Sequence, residues 1–314
     1  MRFSVVGSGA VGGYYGAKLQ RAGHDVTLIA RGLNLAALRE KGLTVQSAML
    51  GDFHVTPRAE ETADSVKDSD VVLLATKTYD NDTAIPIVKQ LVDHGAPGAF
   101  VLSLQNGVSS PYALADVVGR ERVMAGPTYV ATALVEPGRI VQTGTHRRIA
   151  FGEVFDAGHA VSARAQALHE AFVGADIISE PHADGRVPLW QKYTYLGPFA
   201  AFTGAARLPI GPLWADEGTR RSFINAAHEM HALAKAEGVT LAGDSLQQLE
   251  TYIGSLQPDT RSSLLIDLQQ GKKIEVEGLL GFAVRLGEKH GVTTPILKAL
   301  YSVLRPWANG PVNA

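Results

Sequence analysis

A glycine-rich turn between a strand and a helix, close to the N-terminus, constrains the fold most. The segment VVGSGAVGGYYGAKLQRAGHDVTLIAR places Gly7, Gly9 and Gly12 in the spacing G-x-G-x-x-G directly after an apolar run. A helical pattern and a second apolar run follow. In this context the glycines permit a tight turn and let the backbone approach a pyrophosphate at the positive end of the helix dipole. We therefore expect a dinucleotide-binding turn, the alternative being a turn that binds nothing. The residues expected to contact the cofactor are Gly7, Ser8, Gly9, Ala10, Val11 and Gly12.

Short apolar runs alternate with helical patterns in the first half of the chain, at residues 3–6, 26–29, 71–75 and 100–104. Continuous runs of this kind are typical of strands buried on both faces of a parallel sheet. The stretch TYVATALVEPGRIVQTGTHRRIAFGEV then predicts three short strands that extend the same sheet, antiparallel at its edge. A Pro-Gly turn and a Gly-Thr turn, at Gly144, are expected to join them. The pattern indicates an α/β fold with an N-terminal Rossmann-type doubly wound sheet.

A segment with two prolines and a glycine, SEPHADGRVPLW, marks a change to helical periodicity. We place the domain boundary there, with residues 1–182 in the Rossmann domain and residues 183–314 in an all-helical domain that binds the substrate. The helices expected in the second domain cover residues 219–237, 244–256, 262–270, 275–290 and 295–306.

The composition is that of an ordinary soluble globular protein, with 46% hydrophobic and 19% charged residues in 314. A formal net charge of -2 provides no basic field for nucleic acid or an anionic membrane, and the lack of cysteine excludes thiolate chemistry. The first residues read as a strand rather than as a signal peptide. We expect a cytoplasmic enzyme with a small-molecule partner. The oligomeric state is not readable, although exposed apolar helix faces allow a homodimer.

The end of the second strand indicates which dinucleotide binds. An NAD site usually has an acidic residue there for the ribose 2'-hydroxyl, whereas this chain has Ala30 and then Arg31, a cation suited to a 2'-phosphate. NADPH is therefore expected, unless Arg31 is an ordinary solvated arginine. Lys77 and the pair Asn106-Gly107 end two further strands and point to the same crevice, although both are also typical of turns.

The stretch WQKYTYLGPFAAFT contains a single charge, Lys192. Its ammonium either reaches water along the side chain or has a function. Ser263 and Glu275 lie near predicted helix starts, where a serine usually caps and a glutamate complements the helix dipole. The stretch HEMH has its histidines, His228 and His231, three residues apart rather than four, which favours an amphipathic helix, and we expect no metal.

These motifs, in this order, resemble the ketopantoate reductase (2-dehydropantoate 2-reductase) family over nearly the whole chain. The resemblance implies a Rossmann domain followed by a helical domain similar to that of 6-phosphogluconate dehydrogenases. It also implies reduction of a 2-oxo acid by NADPH, with 2-dehydropantoate converted to (R)-pantoate on the pathway to pantothenate and coenzyme A.

The resemblance also implies a role for each matching residue. Lys192 is the general acid that protonates the ketone oxygen, and Glu275 binds the substrate hydroxyl, contacts the cofactor and keeps Lys192 in place. Asn106 holds cofactor and substrate, Lys77 lines the cofactor side, and Ser263 bonds the substrate carboxylate.

One departure from the family pattern concerns the substrate. The family has asparagines four and eight residues after the lysine, where this chain has Leu196 and Ala200. This spacing keeps both positions on the helix face of Lys192. The substrate therefore stays open, and so do three alternatives: a paralogue acting on a different 2-oxo or hydroxy acid, an oxidative dehydrogenase, and a non-catalytic NADP(H)-sensing protein.

Overall fold

The computed structural model describes residues 1–155, 158 and 160–312. The chain divides into two compact units. The first unit contains Met1–Gln105 and Ser110–Pro188, and the second contains Asn106–Ser109 together with the described chain from Leu189 onward. The four residues after Gln105 therefore group with the C-terminal part of the chain, although they interrupt the first unit in sequence.

Eleven strands form one sheet within the described residues, in the spatial order β4-β3-β10-β8-β7-β6-β1-β2-β5, and β9 and β11 also pair with β10. The strands are β1 (Arg2–Val6), β2 (Asp25–Ile29), β3 (Leu43–Ser47), β4 (Phe53–Val55), β5 (Arg58–Glu60), β6 (Val71–Leu74), β7 (Phe100–Ser103), β8 (Val123–Ala125), β9 (Thr128–Glu136), β10 (Arg139–Glu153) and β11 (Ile178–His182).

Helices occur in both halves of the sequence. Among the described residues, no helix combines the length and the apolar character needed to span a membrane. Five lie before residue 180: α1 (Ala10–Arg21), α2 (Gly32–Lys41), α3 (Asn81–Asp93), α4 (Ser110–Val118) and α5 (Ala163–Gly174). The others are α6 (Arg186–Ala206), α7 (Ile210–Ala215), α8 (Glu217–Ala236), α9 (Ser245–Ser255), α10 (Ser263–Gln269), α11 (Phe282–His290) and α12 (Pro295–Leu304). A π-helical segment, Glu277–Gly281, leads into α11.

The centre of the sheet is parallel and buried on both faces. Strands β7, β6, β1 and β2 are parallel neighbours. Along β6, Val71 and Leu73 join one apolar cluster, whereas Val72 and Leu74 join another, because successive side chains point to opposite faces. The predicted fold class, a doubly wound sheet followed by a helical region, is confirmed.

The prediction of three short strands after residue 127 is wrong, because this stretch forms two strands, β9 and the long β10. Gly144, at φ +72°, does not form the expected turn between strands but lies inside β10, where the pairing with β9 shifts register between Thr143 and Arg147. A glycine can absorb such an irregularity without ending the strand. Strand β10 is antiparallel to β8 as expected, but it is not at the edge, because β3 pairs with it in parallel and β4 follows β3.

The helical unit agrees with the predicted helices to within a few residues, with two differences. Helix α7 was not predicted, and the helix expected over 275–290 begins only at Val276 and passes through the π-helical segment. The boundary predicted after residue 182 coincides with the end of β11, and α6 continues beyond the first unit. Phe199, Phe223 and Ile253 belong to the apolar core of the second unit.

An ion pair stabilises the packing of α1. The side chain of Lys18 is 5% exposed, and its Nζ lies 2.7 Å from Oδ2 of Asp176, just beyond α5. The hydrogen bond from Lys18 is the largest cause that lowers the pKa of Asp176. A lowered carboxylate pKa stabilises the folded state above the usual aspartate pKa of about 3.9, and this stabilisation is lost as the pH falls through the lower, folded-state pKa.

We expect Asp176→Asn to lower the free energy of unfolding by about 1–2 kcal/mol at neutral pH, a value discounted because the carboxylate is half exposed. Asparagine tolerates the left-handed conformation of residue 176, at φ +55°, so the change reports mainly the lost charge. Urea unfolding monitored by circular dichroism measures the effect, which should shrink below about pH 4. The exposed Asp116→Asn is the control, and an equal loss in both variants would contradict the interpretation.

Candidate functional site

The turn between β1 and α1 needs glycine at two positions for reasons internal to the protein. Gly7 has φ +98°, and a Cβ there would lie 2.6 Å from the backbone N of Thr76. A Cβ on Gly12 would lie 2.2 Å from the carbonyl O of Gly7. These glycines therefore permit the tight turn and the close approach of α1 to the sheet.

Gly9, which precedes α1, is different. Its φ of -75° is accessible to any residue, and a Cβ there would meet no atom of the described chain within 4 Å. A side chain at this position would instead fill the space in front of Ala10 and Val11, the first residues of α1. Gly9 has no side chain with which to cap the helix, and the first N–H groups of an α-helix have no acceptor within the helix itself. The residues therefore fit the pyrophosphate of a dinucleotide.

Asn34 on α2 supports the turn, and it was not among the residues predicted from the sequence. Its Nδ2 donates to the carbonyl O of Ser8 at 3.0 Å and to Ser8 Oγ at 3.2 Å. Its Oδ1 accepts from the N–H of Gly138, at the turn between β9 and β10, at 2.9 Å. No local pattern in the sequence announces this role, because the bonded segments are far apart along the chain.

Arg31 and Lys77 lie at the ends of the two strands that flank β1. The parallel register aligns Val6 with Ile29 on one side and with Leu74 on the other. Arg31 follows β2, is exposed and immediately precedes α2, while Lys77 follows β6 and is half-buried. The structure thus brings both cations to the sheet edge that carries the glycine-rich turn, as expected for parallel strands.

Gln105 is a second structural residue that was not predicted from the sequence. It is 5% exposed, and its Nε2 donates to the carbonyl O of Thr76 at 2.9 Å and to Oδ1 of Asn81 at 2.7 Å. It therefore ties the chain after β7 to the chain after β6. Its neighbour Asn106 already belongs to the second unit.

Lys192 on α6 is buried, at 8% exposure, and its Nζ donates to Oδ1 of Asn106 at 2.8 Å. An ammonium placed this deep requires polar acceptors, since its desolvation is otherwise costly. This burial and this bond favour a function over the alternative that the side chain reaches water. The structure brings together two of the residues expected at the substrate end.

Glu275 is also buried, at 5% exposure, immediately before the first helical residue Val276. Its carbonyl O accepts from the N–H of Leu279 at 3.0 Å. The acidic residue inside the first turn is Glu277, so Glu275 is not placed as an ordinary surface residue that complements the helix dipole.

Ser263 is exposed at the start of α10, and the cap of this helix is its neighbour Ser262. The Oγ of Ser262 accepts from the N–H of Leu265 at 3.1 Å and shares a 2.7 Å hydrogen bond with Oγ1 of Thr203 on α6. The capping alternative for Ser263 is therefore wrong.

Leu196 and Ala200 lie one and two turns beyond Lys192 on α6. Leu196 is half-buried and Ala200 is 1% exposed. Helix α10 begins beside the next turn of α6, at Thr203. The surface of α6 between Lys192 and the start of α10 is therefore apolar at the two family asparagine positions.

The stretch HEMH lies on α8 and has structural contacts. Glu229 accepts from the N–H groups of Ile296 and Leu297, both at 3.0 Å, at the start of α12. Met230 is fully buried against Gly197. In the described chain, no group of three or more His, Cys, Asp or Glu side chains is arranged to hold a metal ion.

Comparison with known proteins places both parts of the chain in one family. Residues 3–155 match the family model described as ketopantoate reductase PanE/ApbA, and residues 186–308 match that of the ketopantoate reductase PanE/ApbA C terminal. A Bacillus subtilis protein named uncharacterized oxidoreductase YkpB is 29% identical, over 97% of this chain and 98% of that protein. A 2-dehydropantoate 2-reductase from a Nostoc species is 28% identical, over 97% of this chain and 94% of that protein.

Solved structures agree with the sequence comparison. The PanE/ApbA family ketopantoate reductase from Ralstonia eutropha JMP134 is 30% identical and superposes with a TM-score of 0.86, over 97% of each chain. Fold, family models and relatives therefore lead to the same conclusion, which also confirms the resemblance expected from the motifs. The chain belongs to the ketopantoate reductase family of oxidoreductases.

Proposed function

We propose that this chain uses NADPH to reduce a 2-oxo acid to the 2-hydroxy acid, and that Lys192 is the general acid. Membership of the family supports an oxo-acid reductase. The observation that carries the residue assignment is the buried ammonium of Lys192, bonded to the side-chain oxygen of Asn106 at 2.8 Å.

The chemistry of a ketone reduction suits this pair. The coenzyme supplies a hydride when it is bound. As the carbonyl carbon is reduced, negative charge develops on the oxygen, and the ammonium of Lys192 stabilises this charge and transfers a proton to it. The resulting amine regains its proton from solvent. Asn106 orients the ammonium, because its oxygen can only accept a hydrogen bond from it.

Glu275 and Ser263 complete the proposed substrate end. We assign the buried carboxylate of Glu275 to the substrate hydroxyl, from which it would accept a hydrogen bond, and to keeping Lys192 in place. The exposed hydroxyl of Ser263, which is not used as a cap, is available to donate to the substrate carboxylate. Thus each proposed substrate group has a partner of matching chemistry.

On the cofactor side, we assign the pyrophosphate to the turn of Gly7, Ser8, Gly9, Ala10, Val11 and Gly12. The 2'-phosphate is assigned to Arg31, whose exposed guanidinium follows β2 where an NAD site carries a carboxylate. We assign Lys77, Asn106 and Glu275 to the rest of the cofactor. NADPH is thus the proposed coenzyme in preference to NADH.

The substrate is 2-dehydropantoate or another 2-oxo acid with an apolar side chain. Leu196 and Ala200 favour the second candidate, because they remove amide groups that would bond a substrate hydroxyl. A spectrophotometric assay of NADPH oxidation with 2-dehydropantoate and a panel of branched and aromatic 2-oxo acids distinguishes the candidates. Tight NADPH binding without turnover of any of them would favour the sensor alternative instead.

We expect Lys192→Ala to lower kcat by about 10²-fold or more, since general acid catalysis typically contributes that much. NADPH binding, measured by fluorescence titration, should stay within about twofold. Lys298→Ala is the matched control, because that lysine is exposed and paired with Glu288. Unchanged turnover in Lys192→Ala would contradict its role as the acid.

We expect Gly9→Ala to weaken NADPH binding by about 10- to 100-fold, since a methyl group forced into a filled site costs about 1–3 kcal/mol. The melting temperature of the ligand-free protein should stay unchanged, because the Cβ would meet open space there. Gly12→Ala is the contrasting control. Its Cβ would meet the Gly7 carbonyl, so this change should lower the melting temperature of the ligand-free protein. Unaltered NADPH binding in Gly9→Ala, at the melting temperature of the wild type, would contradict the assignment of the pyrophosphate to this turn.

We expect Arg31→Ala to raise the Kd of NADPH by about 10- to 100-fold, the value of one or two charge-assisted hydrogen bonds. The Kd of NADH should change little, because NADH lacks the 2'-phosphate. Titration of both coenzymes against wild type and variant gives the comparison. An equal effect on both would assign Arg31 to a shared part of the dinucleotide.

A further inference from the structure

We propose that Tyr193 and Gly107 are positioning residues that hold Lys192 in place through a closed ring of contacts in the second unit. The ring runs from Lys192 to Asn106, along the backbone to Gly107, across to the π-helical segment, and back through Tyr193. This inference rests on the proposed role of Lys192, although its test includes a readout that does not need activity.

The first link is the hydrogen bond from Lys192 Nζ to Asn106 Oδ1. Asn106 lies in a short loop, residues 106–109, whose contacts assign it to the second unit. A loop residue holds a side chain in place only if its own backbone is fixed. The position of Lys192 therefore depends on what fixes this loop.

Gly107 provides the second link. Its φ of +84° is a conformation that side chains disfavour, and a Cβ there would lie only 2.8 Å from the carbonyl O of Gly278. The backbone after Asn106 consequently packs directly on the backbone of the π-helical segment. Glycine is required here by the close contact and by the turn, without any ligand.

The π-helical segment provides the third link. Such segments are rare and often occur at functional sites. The carbonyl O of Leu279 within it accepts from the hydroxyl of Tyr193 at 2.7 Å. Tyr193 is 1% exposed and packs edge-on against Trp190, with ring centroids 5.5 Å apart, and burial raises its pKa. The hydroxyl is thus a protonated donor fixed by its surroundings.

Tyr193 closes the ring because it is the chain neighbour of Lys192. Successive residues on a helix point about 100° apart, so anchoring Tyr193 fixes the rotation of α6 about its own axis and hence the direction of Lys192. The ring also reaches Glu275, whose carbonyl O accepts from the N–H of Leu279. One residue, Leu279, therefore connects the helix that carries Lys192 with the backbone of Glu275.

The test is Tyr193→Phe, which keeps the aromatic packing and removes only the hydroxyl. We expect kcat to fall by about 10- to 100-fold, the effect of misplacing a catalytic group by up to about 1 Å. The KM for NADPH and the Kd of NADPH should both stay within about twofold of the wild-type values. Tyr195→Phe on the same helix is the matched control, since it removes the same group from a half-buried ring that packs on Tyr252.

A second measurement works even without turnover. The folded protein is acylated with a succinimidyl ester, and peptide mass spectrometry after digestion then gives the labelling rate of Lys192 itself, which reports how firmly its ammonium is held. We expect labelling at least about 10-fold faster in Tyr193→Phe than in wild type or Tyr195→Phe, since an ordered, bonded amine is less reactive. Gly107→Ala, which pushes on Gly278 from the other side, should act in the same direction.

The outcomes separate the two proposals. If wild type reduces no 2-oxo acid but Tyr193→Phe still accelerates labelling of Lys192, the function fails and the positioning ring stands. If wild type is active and depends on Lys192, but Tyr193→Phe and Gly107→Ala match wild type in kcat and labelling, the ring is overturned. If either Tyr193→Phe or Gly107→Ala fails to fold, the other variant is used alone. Labelling of Lys192 at the wild-type rate in that folded variant also overturns the ring.

Discussion

The hydrogen bond between the Lys192 ammonium and the Asn106 side chain explains much of how the second unit is built. A buried ammonium destabilises the folded state unless acceptors surround it. The acceptor comes from a loop that follows β7, and this loop groups by its contacts with the helices rather than with its neighbours in sequence. Directly after this acceptor the backbone turns at Gly107, where a Cβ would lie 2.8 Å from the carbonyl O of Gly278. The acceptor of the buried charge is therefore followed by a backbone-to-backbone contact within the second unit.

In the first unit, the corresponding constraint is the crossing of α1 over the sheet. At Gly7 and Gly12 a side chain would clash with other atoms of the protein, whereas at Gly9 a Cβ would meet no atom of the described chain within 4 Å. This difference separates the structural part of a G-x-G-x-x-G turn from the part that leaves room for a ligand. Because β2, β1 and β6 are parallel and in register, the same edge also receives Arg31 and Lys77. Charged side chains and the glycine-rich turn thus lie together at the carboxyl ends of the parallel strands, where ligands of such sheets usually bind.

The sequence predicted those features whose cause is local. Runs such as residues 71–74 are apolar at every position because both faces of the sheet are covered, and this pattern is visible without a structure. Features caused by distant contacts were missed. Asn34 and Gln105 are ordinary polar residues until the fold brings Ser8 and Thr76 to them. Gly144 misled the strand prediction because a glycine can signal either a turn or an irregularity within a strand.

Some residues of the candidate site could be predicted from the sequence, whereas the role of others depends on the fold. Lysine, asparagine and glutamate are recognisable by motif, but which serine caps α10 depends on whether its hydroxyl meets Thr203, and only the fold decides that. Because α10 begins beside Thr203, a substrate bound as we propose, between Lys192 and Ser263, would lie along the stretch of α6 that carries Leu196 and Ala200. An apolar wall discriminates between side chains by about 1–3 kcal/mol per methylene, far less than a polar site that demands a hydroxyl. Under this proposal, the residues of the chain specify the reaction more tightly than they specify the side chain of the substrate.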